Sequence, residues 1–210
     1  MPAMLWALSV AWAVALVLSG WSPYDRLTWV MEVLPTIIAW PILFGTARRF
    51  PLTNLLYALI LIHGLILILG GAYTYARVPL GFWLQDIFGT ARNPYDKIGH
   101  FAQGFVPAMI ARELLIRRFA LTGLKLIAFL SICICLAISA AYELLEWWAA
   151  LAMGQGADEF LGTQGDEWDT QSDMFWALLG ACAALLTLSR WQDRQMRGLE
   201  TAPAKPAHPN

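Results

Sequence analysis

Two glutamates one helical turn apart are the residues of this sequence that folding alone explains least well. Glu143 and Glu146 follow an apolar run over residues 126–141 that is suited to a lipid bilayer. Their i, i+3 spacing puts both carboxylates on one face of a helix. Charged groups in or near hydrocarbon are costly unless they are paired, and negative charge is unfavourable at the C-terminal end of a helix. We therefore interpret the pair as part of a functional site.

Polar groups of the same kind lie at the start of two other predicted helices. Asp96 precedes His100 by four positions and Gln103 follows one turn later, while Asp169 and Asp173 show the same four-residue spacing. One imidazole with several carboxylates is a ligand set for a hard or borderline divalent cation, and helical bundles build metal sites with such spacings. The candidate metal ligands are His100, Glu143, Glu146, Asp173, Asp169 and Asp96. Of these, His100, Glu143 and Glu146 are also candidate catalytic groups, and the candidate substrate-binding residues are Gln103, Lys97 and Gln171.

Each of these residues also has an interpretation without chemistry. Asn93, Pro94 and Asp96 fit an N-cap, a first-turn proline and an N3 acid, and Thr170 to Asp173 has the same form. Lys97 could reach the headgroup region along its aliphatic stem. A metal is not required either, because the same acids and His100 could transfer protons.

The composition is that of a membrane protein. Hydrophobic residues make up 59% of the 210 residues and charged residues only 14%, whereas about a quarter of a soluble domain is charged. A net charge of -1 argues against a nucleic-acid partner. The expected partners are membrane lipids, together with a lipid-like substrate or another membrane protein.

A transmembrane helix needs about 20 residues, and six stretches qualify. The predicted fold is an all-α polytopic membrane helix bundle that forms a single domain over residues 1–200, with a disordered tail at 201–210. The first span has no basic residue before it and is predicted to be retained rather than cleaved as a signal sequence. A polar connection over residues 76–92 is predicted to lie at the membrane interface. The six spans cover residues 4–20, 27–47, 52–75, 93–116, 122–148 and 170–189.

The basic residues predict the orientation of the six spans. Ten of them fall on one side and only Arg26, Arg77, Arg92 and Lys97 on the other. The positive-inside rule then places both termini in the cytoplasm. With this topology the polar clusters, together with Glu32, share one depth near the outer boundary. We predict one buried polar site that is open to the outer leaflet or the periplasm, with the loop over residues 160–165 as a candidate cover.

Two further polar residues lie at other depths. His63, in the middle of the third span, is predicted to make an interhelical hydrogen bond. Glu113 precedes Arg117 by four positions near the cytoplasmic end of the fourth span, and we predict an ion pair between them.

Three motifs resemble those of the YjdF-like inner-membrane proteins of bacteria. They are residues 92–105 (RNPYDKIGHFAQGF), 142–148 (YELLEWW) and 162–174 (GTQGDEWDTQSDM). The same blocks are distantly similar to the VanZ-like pattern, in which an Asp-Lys-x-x-His motif precedes a glutamate near a helix end and a later aspartate. Glu146 departs from that pattern, where glutamine is usual. The resemblance implies a location in the bacterial inner membrane and names no reaction.

Three functions remain open from the sequence. The favoured one is a carboxylate and histidine site that binds or acts on a lipid-like substrate, with or without a divalent metal. The first alternative is a protein of proton- or cation-coupled transport or binding. The second is a structural subunit of a membrane complex, in which the cluster is a satisfied ion-pair network that locks helices together.

Overall fold

The computed structural model describes residues 3–153 and 164–200. Within these ranges the chain forms seven α-helices and no strand, which confirms the predicted all-α class. A 3-10 turn, Tyr75–Arg77, follows the third helix. The helices are α1 (Ala3–Trp21), α2 (Arg26–Thr46), α3 (Asn54–Tyr73), α4 (Pro79–Phe88), α5 (Tyr95–Arg117), α6 (Leu124–Met153) and α7 (Asp169–Glu200).

Five of the described helices, α1, α2, α3, α6 and α7, are long and apolar enough to cross a membrane. The sequence predicted six, and the difference is α5. Its 23 residues reach about 34 Å at 1.5 Å per residue, so length does not disqualify it. Its composition sets it apart from the five apolar helices, because it carries Asp96, His100 and Gln103 near one end and Arg112 and Glu113 near the other.

The polar helix α5 lies at the centre of the bundle. It packs most extensively against α7 and also against α6 and α3, while α1 and α2 pack mainly against α3. Two glycines bring α5 and α7 together. A Cβ atom on Gly104 would overlap the backbone of Ala177, and one on Gly180 would overlap the backbone of Phe101. The enclosure allows α5 to bury its polar side chains against other helices rather than against lipid.

A second polar network ties the opposite end of the bundle together. Glu113 is fully buried and accepts hydrogen bonds from the backbone N–H and the hydroxyl of Thr53, at 3.0 and 2.8 Å. It also pairs with Arg117, which confirms the predicted ion pair. Gln192 of α7 donates to Glu113 at 3.3 Å and accepts from Arg112 at 2.8 Å. The start of α3 and the ends of α5 and α7 are thereby held in one register.

Helix α7 extends well beyond its predicted end at residue 189. Its polar part stays helical because Gln192 is completely buried and Asp193 pairs with Arg112 of α5 at 2.6 Å. The connection over residues 76–92 contains α4, which the sequence had not separated from the loop. The predicted tail at 201–210 and residues 160–163 of the predicted cover lie outside the described residues.

Candidate functional site

The first turn of α5 is organised by Asn93. Its side-chain Oδ1 accepts a hydrogen bond from the N–H of Tyr95 at 3.0 Å, and its Nδ2 donates to the carbonyl of Val78 at 3.0 Å. Gln164 clamps the backbone of Asn93 from the loop before α7, at 3.2 and 3.1 Å. Asn93 therefore stabilises this turn by accepting the hydrogen bond from the N–H of Tyr95. The side chain of Asp96 lies beside His100.

His100 is the centre of a buried group of polar side chains. Its Nε2 lies 3.4 Å from Oδ1 of Asp96 and 3.7 Å from Oδ2 of Asp173, and its Nδ1 lies 2.9 Å from Oε1 of Gln103 and 4.0 Å from Oε1 of Glu143. We call these five residues the polar cluster. All are buried, and Asp173 is only 2% exposed. Helices α5, α6 and α7 thus each place an acid at one imidazole.

The cluster leaves several carboxylate oxygens unsatisfied. Oδ2 of Asp96, Oε1 of Glu143 and Oδ1 of Asp173 are buried and have no hydrogen-bond partner among the described residues. A buried carboxylate without a compensating partner is strongly unfavourable. The cluster therefore needs a cation or protons to be stable.

The imidazole is oriented in a way that suits a metal ligand. Because Oε1 of Gln103 can only accept, Nδ1 carries the proton of that hydrogen bond and the lone pair of neutral His100 is on Nε2. Nε2, which carries that lone pair, is the ring nitrogen nearest to Asp96 and Asp173. One potential ligand atom from each of these three residues lies within 4.8 Å of the other two. A histidine that binds a metal through one nitrogen and donates its other N–H to a fixed partner is the usual arrangement in metal sites.

A cavity of about 230 Å³, which we call the head cavity, lies beside the polar cluster. Asp96, His100 and Gln103 line it from α5, and Glu32 and Glu146 line it from α2 and α6. Glu146 therefore lies on the cavity wall, whereas the carboxylates measured at Nε2 of His100 are those of Asp96 and Asp173.

Two tyrosines contribute to the head cavity that the sequence analysis did not place in a site. Tyr75 and Tyr142 line it, and the hydroxyl of Tyr75 is within hydrogen-bonding reach of Glu32. Gly70 and Gly99 are the residues that could have indicated the position of Tyr75, because a Cβ atom at either glycine would collide with the Tyr75 ring.

The remaining candidate residues lie outside the polar cluster. Asp169 is buried and pairs with Arg92, which also contacts Asp166 at 2.9 Å. Lys97 is half-buried and lines a different cavity with Arg92 and Phe101. Gln171 is exposed. The structure thus places neither Lys97 nor Gln171 among the residues that line the head cavity.

The Nε2 atom of His63 does not make the predicted interhelical hydrogen bond. Its Nε2 is buried and has no hydrogen-bond partner among the described residues. The side chain lines the head cavity from α3. The predicted interhelical hydrogen bond is thus not made by Nε2, and this face of α3 borders the cavity at that depth.

Comparison with known proteins places the chain among membrane proteins. The family described as "Predicted membrane protein (DUF2238)" matches residues 4–194. "Inner membrane protein YjdF" of Escherichia coli (strain K12) is 58% identical over 196 residues, which is 93% of this chain and 94% of that protein. No solved structure matches the chain.

Proposed function

Since this chain belongs to the DUF2238 family of inner-membrane proteins, we propose that it binds a divalent cation through Asp96, His100 and Asp173 and uses it to hold the headgroup of a lipid-like substrate. The family membership confirms the resemblance predicted from the motifs at 92–105, 142–148 and 162–174. It also gives the location, which is the inner membrane, with several spans.

The proposal includes a topology of six spans with α5 as the fourth. Helix α5 is long enough to cross, and it is sheltered by α3, α6 and α7 from direct contact with lipid on those sides. Six crossings with both termini in the cytoplasm put the polar cluster, Glu32 and Glu146 in the outer half of the bilayer. The same topology puts Arg112, Arg117 and Arg118 at the cytoplasmic end, which agrees with the positive-inside rule.

The observation that carries the proposal is the pair of buried carboxylates at Nε2 of His100. Oδ1 of Asp96 and Oδ2 of Asp173 lie nearest to that nitrogen, and the other oxygen of each carboxylate is unsatisfied within the described ranges. A divalent cation there would satisfy Oδ1 of Asp173 and Oδ2 of Asp96, which have no hydrogen-bond partner among the described residues. Oxygen and imidazole nitrogen ligands together suit zinc, manganese or iron.

Access for a lipid is supported by the gap between α2 and α6. Within the described ranges these two helices barely touch. A side cavity of about 340 Å³ lies between them and shares Glu32, Pro35 and Glu146 with the head cavity. Its outer rim carries exposed apolar side chains, among them Leu34 and Ile38. A lipid headgroup could therefore move sideways from the outer leaflet to the polar cluster without crossing the bundle.

The chemistry expected of such a centre is electrostatic. A bound cation would polarise a phosphoryl or carbonyl oxygen of the headgroup and balance the negative charge of the acids. Glu143 is the nearest carboxylate to the Nδ1 side of His100 and has an unsatisfied oxygen. It lies on the opposite side of the ring from the proposed cation, so its candidate role is that of an acid or base toward the headgroup rather than that of a metal ligand.

The test is the metal content of the full chain purified in mild detergent. We expect about one divalent ion per chain by mass spectrometry, and loss of that ion in Asp173→Asn and His100→Ala. Asp86→Asn removes an exposed acid on α4 and is the matched control that should keep the ion. Native protein that stays metal-free after incubation with zinc, manganese and iron would refute the metal centre.

A proton or cation pathway is the alternative function. It would require polar side chains that continue from the head cavity toward the cytoplasm. His63 extends the polar lining by one residue. The cavity beyond it is lined mainly by apolar side chains, which favours an apolar occupant over an ion.

A further inference from the structure

A second and larger cavity continues from the head cavity toward the cytoplasmic side. Its volume is about 460 Å³, and we call it the tail cavity. Pro35, His63 and Leu67 line both cavities, so the two spaces meet at these side chains. Helices α2, α3 and α5 form its walls, with Ala39, Ile60 and Ile110 among the lining residues.

We infer that the tail cavity holds one acyl chain of the substrate whose headgroup lies at the polar cluster. This inference deepens the proposed function and rests on it for the position of the headgroup. It names the substrate class as an amphiphile with a long hydrocarbon chain and an anionic or oxygen-rich headgroup.

The size of the tail cavity matches a single chain. A methylene group occupies nearly the volume of a water molecule, about 30 Å³, so 460 Å³ holds on the order of 15 methylene groups. Its lining runs along α2 from Pro35 to Thr46, about 17 Å at 1.5 Å per residue. Half of the hydrocarbon core is about 15 Å thick, so the cavity is long enough for a chain from one leaflet.

The chemistry of the lining changes along the combined space in the way an amphiphile requires. Acids and His100 lie at the outer end, whereas Leu43, Ile60 and Val106 line the deeper part. His63 lies at the junction, and its Nε2 has no partner among the described residues. It is a positioning residue for the polar linkage between headgroup and chain, where an ester or amide oxygen could satisfy it.

The experiment uses a monoacyl phosphatidylglycerol that carries a diazirine in the middle of its chain. The full-length protein is placed in nanodiscs that contain this probe, irradiated and mapped by peptide mass spectrometry. Leu43, Ile60 and Val106 are buried and line the tail cavity, so labelling of these residues requires the probe chain to enter the cavity. We expect adducts on these residues and none on Ile127 or Cys135, which are equally buried but line none of the cavities described here.

Filling the cavity provides the matched comparison. Ala39→Trp should lower the adducts about tenfold, which corresponds to the loss of about 1.4 kcal/mol of binding. Ala13→Trp adds the same bulk at an exposed position of α1 and should leave the adducts unchanged. If Ala39→Trp does not fold, Ile110→Trp narrows the same cavity from α5. Native protein without adducts on Leu43, Ile60 and Val106 would overturn the inference. Unchanged labelling in both Ala39→Trp and Ile110→Trp would overturn it as well.

Metal content measured on the same samples separates the two proposals. Bound metal without adducts in the tail cavity overturns the acyl-chain inference and leaves the metal centre intact. Adducts without metal overturn the metal centre and support the tail cavity as a lipid site. His100→Ala should lose the metal and keep most of the adducts, because Leu43, Ile60 and Val106 line the tail cavity that holds the acyl chain and not the polar cluster that holds the headgroup.

Discussion

His100 makes different use of its two ring nitrogens. Nδ1 is held by Gln103 at 2.9 Å, whereas Nε2 lies between Asp96 and Asp173 at 3.4 and 3.7 Å. Gln103 would thus act on the proposed cation only through His100. The sequence analysis gave Gln103 a substrate-binding role, whereas the hydrogen bond supports an orienting role.

The orienting role of Gln103 predicts a loss of metal affinity without loss of a ligand. Gln103→Leu removes the acceptor for Nδ1–H and frees the imidazole to rotate. We expect metal binding to weaken by about 10–100-fold, the usual effect of removing such a partner. Isothermal titration with zinc would measure the change. Gln171→Leu alters an exposed glutamine, and equal loss in that control would show that the effect is not specific to His100.

At the scale of helices, the position of the cluster depends on how closely α5 approaches α7. Gly104 faces the backbone of Ala177, one turn after Asp173 on the same helix. Close approach at small residues is a general means of packing transmembrane helices, because hydrophobic burial gives little driving force within lipid. The distance between His100 and Asp173 therefore depends on the glycine that lets α5 approach α7.

Gly104→Ala is expected to separate α5 from α7 and to weaken both stability and metal binding. Overpacking of this kind costs about 1–3 kcal/mol, and the shift would carry Asp173 away from His100. Gly45→Ala is the control within α2, since nothing lies within 4 Å of a Cβ at that position. Alanine there should stabilise the helix by about 0.5–1 kcal/mol. Thermal unfolding in detergent would measure both changes, and equal melting temperatures for the two variants would contradict this account.

The positions of the helices were more predictable from the sequence than the side of each helix that is buried. Long apolar runs dictated most helix positions, and the acids near helix ends indicated a shared depth. The predictions that failed depended on the rotation of each helix about its axis and on contacts with residues distant in the sequence. Gln171 and Asp173 are two positions apart, yet only Asp173 is buried. The polar end of α7 stays helical because Gln192 and Asp193 meet Arg112 of α5, a contact that local patterns do not encode.

At the scale of the whole molecule, the bundle separates two polar ends by an apolar middle. One end holds the polar cluster with unsatisfied carboxylate oxygens, while the other holds Glu113 in a network with Thr53, Arg117 and Gln192. The satisfied end suits a structural role and the unsatisfied end suits a ligand. Both ends are carried by α5, so α5 must cross the membrane if they face opposite sides.

The crossing of α5 decides on which side the C-terminus lies. With a cytoplasmic N-terminus, six crossings return the C-terminus to the cytoplasm, whereas five leave it in the periplasm. We therefore expect green fluorescent protein fused after the last residue to be fluorescent, because this reporter matures in the cytoplasm and not after export in an unfolded state. A fusion truncated at Asp166 should be dark and active instead with a periplasmic alkaline phosphatase reporter. A dark C-terminal fusion at normal expression would place α5 outside the set of spans, and the two polar ends would then share one side of the membrane.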